Sequence, residues 1–380
     1  MLIAAPSGGA TTLTDWPQIG FDPTHTATNP FESILDPNTV ADLGLAWQAE
    51  LGGEGLFSAV VAGGMVFQTS YENGTVHAFD ASTGTPLWTY RIAPNSLVQT
   101  PAVAGGRVFV SADTTAKLYA LDQATGALDW TTQMENSSSA PPAVVVDGDT
   151  TSVYASGGGT VYAVDGSDGT VLWQQSPYEP FAIQATPAVA DGVVYVADDH
   201  PVVHAYDATT GTELWASRPL APEITAPSYV VVDGDRLLVA PGGRALFALD
   251  PTDGHVLWRE QIYAGSQPSV ANGLAYIQRR KDSEIRLMAL DDATGDRVWQ
   301  QDLGSPRVYS FCDGASIANG VVYTTSLAGA VLAIDATTGE KLWRYAVPVG
   351  ARTMPVVVNG MVYAAAGRWL FAFGLQSWDS

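Results

Sequence analysis

The sequence predicts an all-β protein, an eight-bladed β-propeller of four-stranded antiparallel blades, closed by pairing a strand near residues 43–49 with the C-terminal blade. Two observations predict it. The first is the motif Ala-x-Asp-x-x-Thr-Gly-x-x-x-Trp, which occurs seven times and ends at Trp88, Trp130, Trp173, Trp215, Trp258, Trp299 and Trp343, with Asp168 and Asp253 replacing the Thr in two copies. Successive tryptophans lie 41 to 44 residues apart, a period that marks one supersecondary unit repeated around an axis or along a solenoid. The second is a divided eighth copy. Leu43-Gly44-Leu45-Ala46-Trp47 reads as the Trp strand of a unit lacking its first half, and Met354 to Phe373 supplies three strand patterns with no Trp strand after them. One unit built from both ends of the repeat distinguishes a ring from an open solenoid.

Local chemistry justifies each element of the unit. Residues such as Val76-His77-Ala78-Phe79 alternate like a strand and end at an Asp. An Asp side chain accepts backbone N–H groups two residues on and Gly supplies a positive φ, so Asp-x-x-Thr-Gly predicts a tight hairpin. The strand after it carries the Trp. The role expected of Trp47, Trp88, Trp130, Trp173, Trp215, Trp258, Trp299 and Trp343 is structural, each indole burying apolar area between units and requiring a partner for its N–H. Two further strands precede the motif, clearest at Thr100 to Ala104 and Arg107 to Val110, joined by turns such as Gly63-Gly64, Asp191-Gly192, Asn272-Gly273, Asn319-Gly320 and Asn359-Gly360. These turns and the Thr-Gly turns form one face of short, uniform hairpins. The second-to-third loops and the connectors between blades form the opposite, variable face, where function is expected.

Composition narrows the classes. The chain has 380 residues, 46% hydrophobic and 15% charged, and no apolar run approaches the ~18 residues that span a bilayer. A net charge of −22 argues against nucleic acid, whose phosphates would be repelled. Residues 1–229 hold 4 basic and 24 acidic residues, whereas 230–380 hold 13 and 15, so one side of the ring is strongly acidic. Cys312 is the only cysteine, which excludes an intramolecular disulfide and a Cys-x-x-Cys-His haem attachment. Residues 1–14 read as a flexible leader with no basic n-region, which leaves any signal peptide outside this chain. Residues 15–380 read as one propeller domain. Its opening stretch from Asp15 to Leu43 is rich in turn formers, with Asp36-Pro37 starting a short helical turn.

The repeat resembles that of the pyrroloquinoline-quinone (PQQ) propeller family, on the motif above and over about residues 15–375. The family includes quinoprotein alcohol dehydrogenases, the lipoprotein propeller of the outer-membrane protein assembly machine, and bacterial sensor domains. Trp16 to Gly20 and Asn38 to Trp47 are also similar to the start of quinoprotein dehydrogenases. Against that branch, the alcohol enzymes stack the cofactor on a disulfide between adjacent cysteines, and Cys312 has no neighbour to pair with.

What the resemblance implies for a quinone site is cations for the cofactor's carboxylates, a flat aromatic, oxygen ligands for Ca²⁺ and a carboxylate base. Arg279, Arg307, Arg352 and Arg368 are candidates for the first and Trp369 for the second. Asp313, Glu72 and Glu179 are candidates for the rest. Asp198-Asp199-His200 is the densest metal-like cluster, but three adjacent residues cannot all face one ion, and a solvated loop is the expectation for it. His77 and His204 occupy the repeat position held by Tyr119, Tyr162, Phe247 and Met288, which marks them as blade-packing residues. Two readings follow. The favoured one is a non-catalytic, extracytoplasmic propeller, periplasmic or secreted, whose variable face binds a protein, peptide or polymer without a bound cofactor. The alternative is a dehydrogenase that uses PQQ and Ca²⁺ to oxidise an alcohol or sugar.

Overall fold

The computed structural model describes residues 14–135, 140–177, 185–198, 202–218, 220, 228–241, 245–263, 266–281, 284–304, 314–347 and 351–376. Eight sheets follow one another, the first seven with their four blade strands hydrogen-bonded in sequence order from the innermost to the outermost, and Thr28–Asn29 adds a short parallel strand inside the seventh. In blade 1 the strands are Val60–Ala62, Met65–Ser70, Thr75–Asp80 and Pro86–Arg91. Blades 2 to 7 begin at Ala102, Ala143, Ala188, Ser228, Ser269 and Ala315. Blade 8 takes Val356–Val358, Met361–Ala366 and Trp369–Leu375 from the end of the chain, and Leu43–Glu50 as its outermost strand. That last pairing runs antiparallel from Leu43 opposite Leu375 to Glu50 opposite Trp369. The innermost strand of blade 8 also touches that of blade 1.

The second and third strands of a blade are covered on both faces and are almost wholly apolar, as in Val66-Phe67 and Val76 to Phe79. The outermost strands are half exposed. Neighbouring blades are joined by one contact repeated around the ring. The indole Nε1 of Trp47, Trp88, Trp130, Trp173, Trp215, Trp258 and Trp299 donates to the carbonyl of Ala81, Gln123, Gly166, Ala208, Pro251, Asp292 and Ala336 respectively, each in the next blade, at 2.9 to 3.2 Å. Blade 8 has no Asp-x-x-Thr-Gly turn to offer, so Trp343 donates instead to Leu43 at 2.8 Å.

The same indoles explain the motif glycine. A Cβ on Gly126, whose φ is +72°, would lie 2.5 Å from Cε3 of Trp88. The six other Thr-Gly and Asp-Gly glycines meet the preceding blade's indole in the same way. Asp-x-x-Thr-Gly-x-x-x-Trp is therefore two halves of one seam: the turn of each blade is the seat for the tryptophan of the blade before it.

The opening stretch takes a path that no strand pattern announces. It crosses the innermost strands of all eight blades in ring order. Trp16 exchanges two backbone hydrogen bonds with Val61, and the carbonyl of Pro17 accepts from Val103. The Gln18 side chain pairs with both backbone groups of Val144, at 2.8 and 3.1 Å. The carbonyls of Pro23, Thr24, Thr26 and Ala27 accept from Val189, Val232, Val270 and Ile317, and the Asn29 amide donates to Val357. Each innermost strand presents an edge with unpaired backbone groups, and this segment satisfies one position on every edge. Positive φ at Gly20, Phe21, His25 and Ala27 curls the chain tightly enough to do so. Thr14 and Asp15 bind the Asn359 and Gly63 turns, which places the segment on the short-hairpin side of the ring. After it, Asp36 accepts from Asn38 and Thr39, and a 3-10 turn at Val40–Asp42 leads into Leu43.

Candidate functional site

The axial segment runs across the innermost strands on the short-hairpin side of the ring, opposite the variable loops. Its core is apolar, with Trp16 and Phe21 edge to face at 5.1 Å. His25 lies within it, 1% exposed, hydrogen-bonded to the backbone of Val230. Burial pulls its imidazole down to about 4, so it is neutral at pH 7. Its Nε2 and the Nε1 of Trp16 are buried with no hydrogen-bond partner among the described residues. Asp22, beside it in sequence, is raised by burial, against the hydrogen bonds it accepts from Thr24.

Among the described candidates, Arg368 with Glu72, Trp369 and Arg279 lie at different seams of the ring. Arg368 and Glu72, on the second-to-third loops of blades 8 and 1, face each other across the seam and form an ion pair at 2.5 Å, both about half exposed. The guanidinium proposed for a cofactor carboxylate and one proposed base thus neutralise each other. Trp369 is partly buried against the cluster of Trp343, Phe371 and Phe373 between blades 7 and 8. Arg352 is half-buried after Ala351. Arg279 lines a cleft of about 320 Å³ between blades 5 and 6. Arg307, Asp313, Glu179 and Asp199 lie outside the described residues, as do His200 and Cys312.

Asp198 requires a correction. It is not a solvated loop residue, being only 4% exposed. Its carboxylate accepts from the Val202 N–H at 2.9 Å and lies 3.6 Å from Nε2 of His204, an ion-pair separation too long for a hydrogen bond. The other ring nitrogen of His204 meets Glu213 at 3.0 Å. Burial opposes the charged imidazole, but the two carboxylates outweigh it and raise His204 above its usual range. With the carboxylates on opposite nitrogens the ring separates them, so the three side chains do not converge on one ion.

A second carboxylate pair spans the next seam on the short-hairpin face, where Asp233 of blade 5 meets Asp292 of blade 6. Burial and the neighbouring carboxyl push Asp233 up to about 6. A third group, Asp250, Asp253 and His255, sits exposed on one motif turn. Its oxygens already serve that turn: Asp250 accepts from Thr252 and Asp253 from His255.

Comparison with known proteins places this geometry. The family model described as outer membrane protein assembly factor BamB matches residues 38–198, 134–273, 199–311 and 282–373. The chain belongs to this family of PQQ-repeat propellers. Tetrathionate hydrolase of Acidithiobacillus ferrooxidans is 25% identical over 238 residues, 56% of this chain and 46% of the hydrolase. Quinohemoprotein alcohol dehydrogenase ADH-IIG of Pseudomonas putida is 29% identical over 174 residues, 40% of this chain and 24% of the enzyme. The chain therefore spans less than half the length of these curated relatives. Among solved structures, quinohemoprotein alcohol dehydrogenase from Comamonas testosteroni matches with a TM-score of 0.79 over 96% of this chain and 82% of its own, at 18% identity. BamB from Moraxella catarrhalis matches with a TM-score of 0.70 over 87% and 99%, at 19% identity. At these identities the likeness shows the fold.

A PQQ-repeat propeller that holds the quinone needs its cations, its flat aromatic and its metal ligands around one cavity. Three of the described candidates, Arg368, Trp369 and Arg279, do not meet that requirement together. Arg368 is held by Glu72, Trp369 belongs to blade packing, and Arg279 lies at a different seam. Sequence reasoning missed the axial segment with His25, the Asp198–His204–Glu213 chain and the blade 5–6 cleft. A signal for the first was present in Trp16, Ile19 and Phe21, three large apolar residues in a run with no strand period.

Proposed function

We propose that this PQQ-repeat propeller is a non-catalytic binding module, extracytoplasmic, whose variable-loop face takes a protein, peptide or polymer partner. The observation that carries this reading is the dispersal of the cofactor candidates. The pairing of Arg368 with Glu72 at the rim removes one cation and one base from a quinone site at once. The match to the assembly-factor family and the fold of the Moraxella BamB, which this chain covers almost end to end, support the same reading.

The dehydrogenase reading draws on a different observation. The axial segment runs across the innermost strands on the short-hairpin side and leaves the variable-loop side of the axis free of it, and the quinohemoprotein enzymes are among the relatives. Dye-linked oxidation separates the two. The purified chain, incubated with PQQ and Ca²⁺ and offered a panel of primary alcohols and aldoses, is expected to give no turnover above a protein-free control. Turnover that requires both additions would replace the binding reading with the enzymatic one.

A further inference from the structure

The cleft between blades 5 and 6 carries charges that have no ion-pair partner among the described residues. It has a volume of about 320 Å³ and is lined by Glu260, Ile262, Tyr263, Arg279, Met288 and Arg297. At the repeat position before the motif alanine, blades 1 to 5 carry a ring, His77, Tyr119, Tyr162, His204 and Phe247, whereas blade 7 carries Leu332. Blade 6 places Met288, a narrower side chain, and it floors the cleft together with the buried Ile262. The volume falls at the lower end of the range for small-molecule sites.

Arg279 is half-buried and makes no ion pair among the described residues. It also stands directly across the strand pair from Arg286, whose own charge is taken by Glu284 at 3.0 Å. Two like charges in register are unfavourable unless something neutralises them. Among the described residues Arg297 donates to the Gln300 side chain at 3.5 Å, and neither it nor Glu260 makes an ion pair. The cleft thus offers two guanidinium groups, one carboxylate and an apolar floor, in a chain of net charge −22. Guanidinium forks match carboxylates. A lone carboxylate beside them matches an ammonium.

We infer that this cleft is a binding site for a small amino dicarboxylate, a ligand of net charge −1 such as an acidic amino acid. Its carboxylates pair with Arg279 and Arg297, its ammonium with Glu260, and its methylenes lie on Met288 and Ile262. The inference goes beyond the proposed function, since the cleft lies at a blade seam and its failure leaves the partner-binding reading intact.

Isothermal titration calorimetry with L-glutamate, glutarate and L-norvaline tests it on the intact chain. Glutarate lacks the ammonium and norvaline lacks the second carboxylate. The expected order is glutamate tighter than either analogue, with binding weakened by added salt. Arg279→Ala is expected to weaken glutamate binding at least about tenfold, and Glu260→Gln to erase the preference for glutamate over glutarate. Met288→Phe installs the ring that blade 5 carries and is expected to abolish binding with the melting temperature preserved. No saturable heat with glutamate up to about 10 mM, weaker than any useful affinity, would overturn the inference. So would glutarate binding as tightly as glutamate, or undiminished binding to the Met288→Phe chain.

Discussion

Replacing Gly126 by alanine tests the seam that repeats around the ring. Two effects act at that position. With φ at +72°, any L residue with a Cβ pays for the left-handed region, about 1–2 kcal/mol. The new Cβ also meets Cε3 of Trp88 at 2.5 Å and Cδ2 at 2.6 Å, and that indole is held in place by its 2.9 Å hydrogen bond to Gln123. Overpacking of this kind adds about 1–3 kcal/mol. The structure supplies its own control. Gly106 has nearly the same φ, +74°, yet nothing lies within 4 Å of its ideal Cβ. Gly106→Ala therefore registers the backbone term alone. Gly126→Ala is expected to cost about 3 kcal/mol in all, which for a chain of this length corresponds to about 4 °C in melting temperature. Thermal unfolding by circular dichroism or calorimetry reads both variants. Equal losses from the two would refute the assignment of the motif glycine to the seat of the neighbouring tryptophan.

Two further outcomes follow from the axial segment. Gln18→Ala leaves the buried N–H and carbonyl of Val144 unpaired and is expected to cost about 1–3 kcal/mol in chemical denaturation; an unchanged midpoint would mean that water replaces the side chain. His25, lowered from 6.5 to about 4, refuses a proton that the unfolded chain accepts, so its contribution is present above pH 6.5 and is lost as pH falls toward 4. At ~1.4 kcal/mol per unit the loss is about 3 kcal/mol. His25→Asn keeps a residue that tolerates positive φ and is expected to flatten the stability profile between pH 6.5 and 4. Asp233, raised to about 6, works in the opposite sense, favouring the fold below pH 4 and opposing it as pH rises through 6. Comparison of the variant with the parent chain therefore isolates the histidine.

The repeat was legible because the seam is local in sequence. The seat Gly126 and the indole Trp130 sit four residues apart, and the period carries each to its neighbour. The axial segment was illegible for the opposite reason. Its order comes from hydrogen bonds to the backbones of eight innermost strands up to 328 residues away, and nothing in Pro17-Gln18-Ile19-Gly20 announces a partner at Val103 or Val144. The rim candidates fell between these cases. A sequence identifies Arg368 and Glu72 as polar loop residues, but only the closed ring places blade 8 against blade 1 and sets the two charges face to face. Asp198 and His204 were separated by the same limit, since a loop residue and a strand residue six apart meet only through the pleat of blade 4.

The binding-module proposal requires that the ring does not hold PQQ. Calorimetric titration of the full chain with PQQ, with and without Ca²⁺, tests it directly. No saturable binding is expected in either condition. Stoichiometric, Ca²⁺-dependent binding, with quenching of tryptophan fluorescence, would contradict it and return Arg307, Arg352 and Asp313 to the centre of the ring.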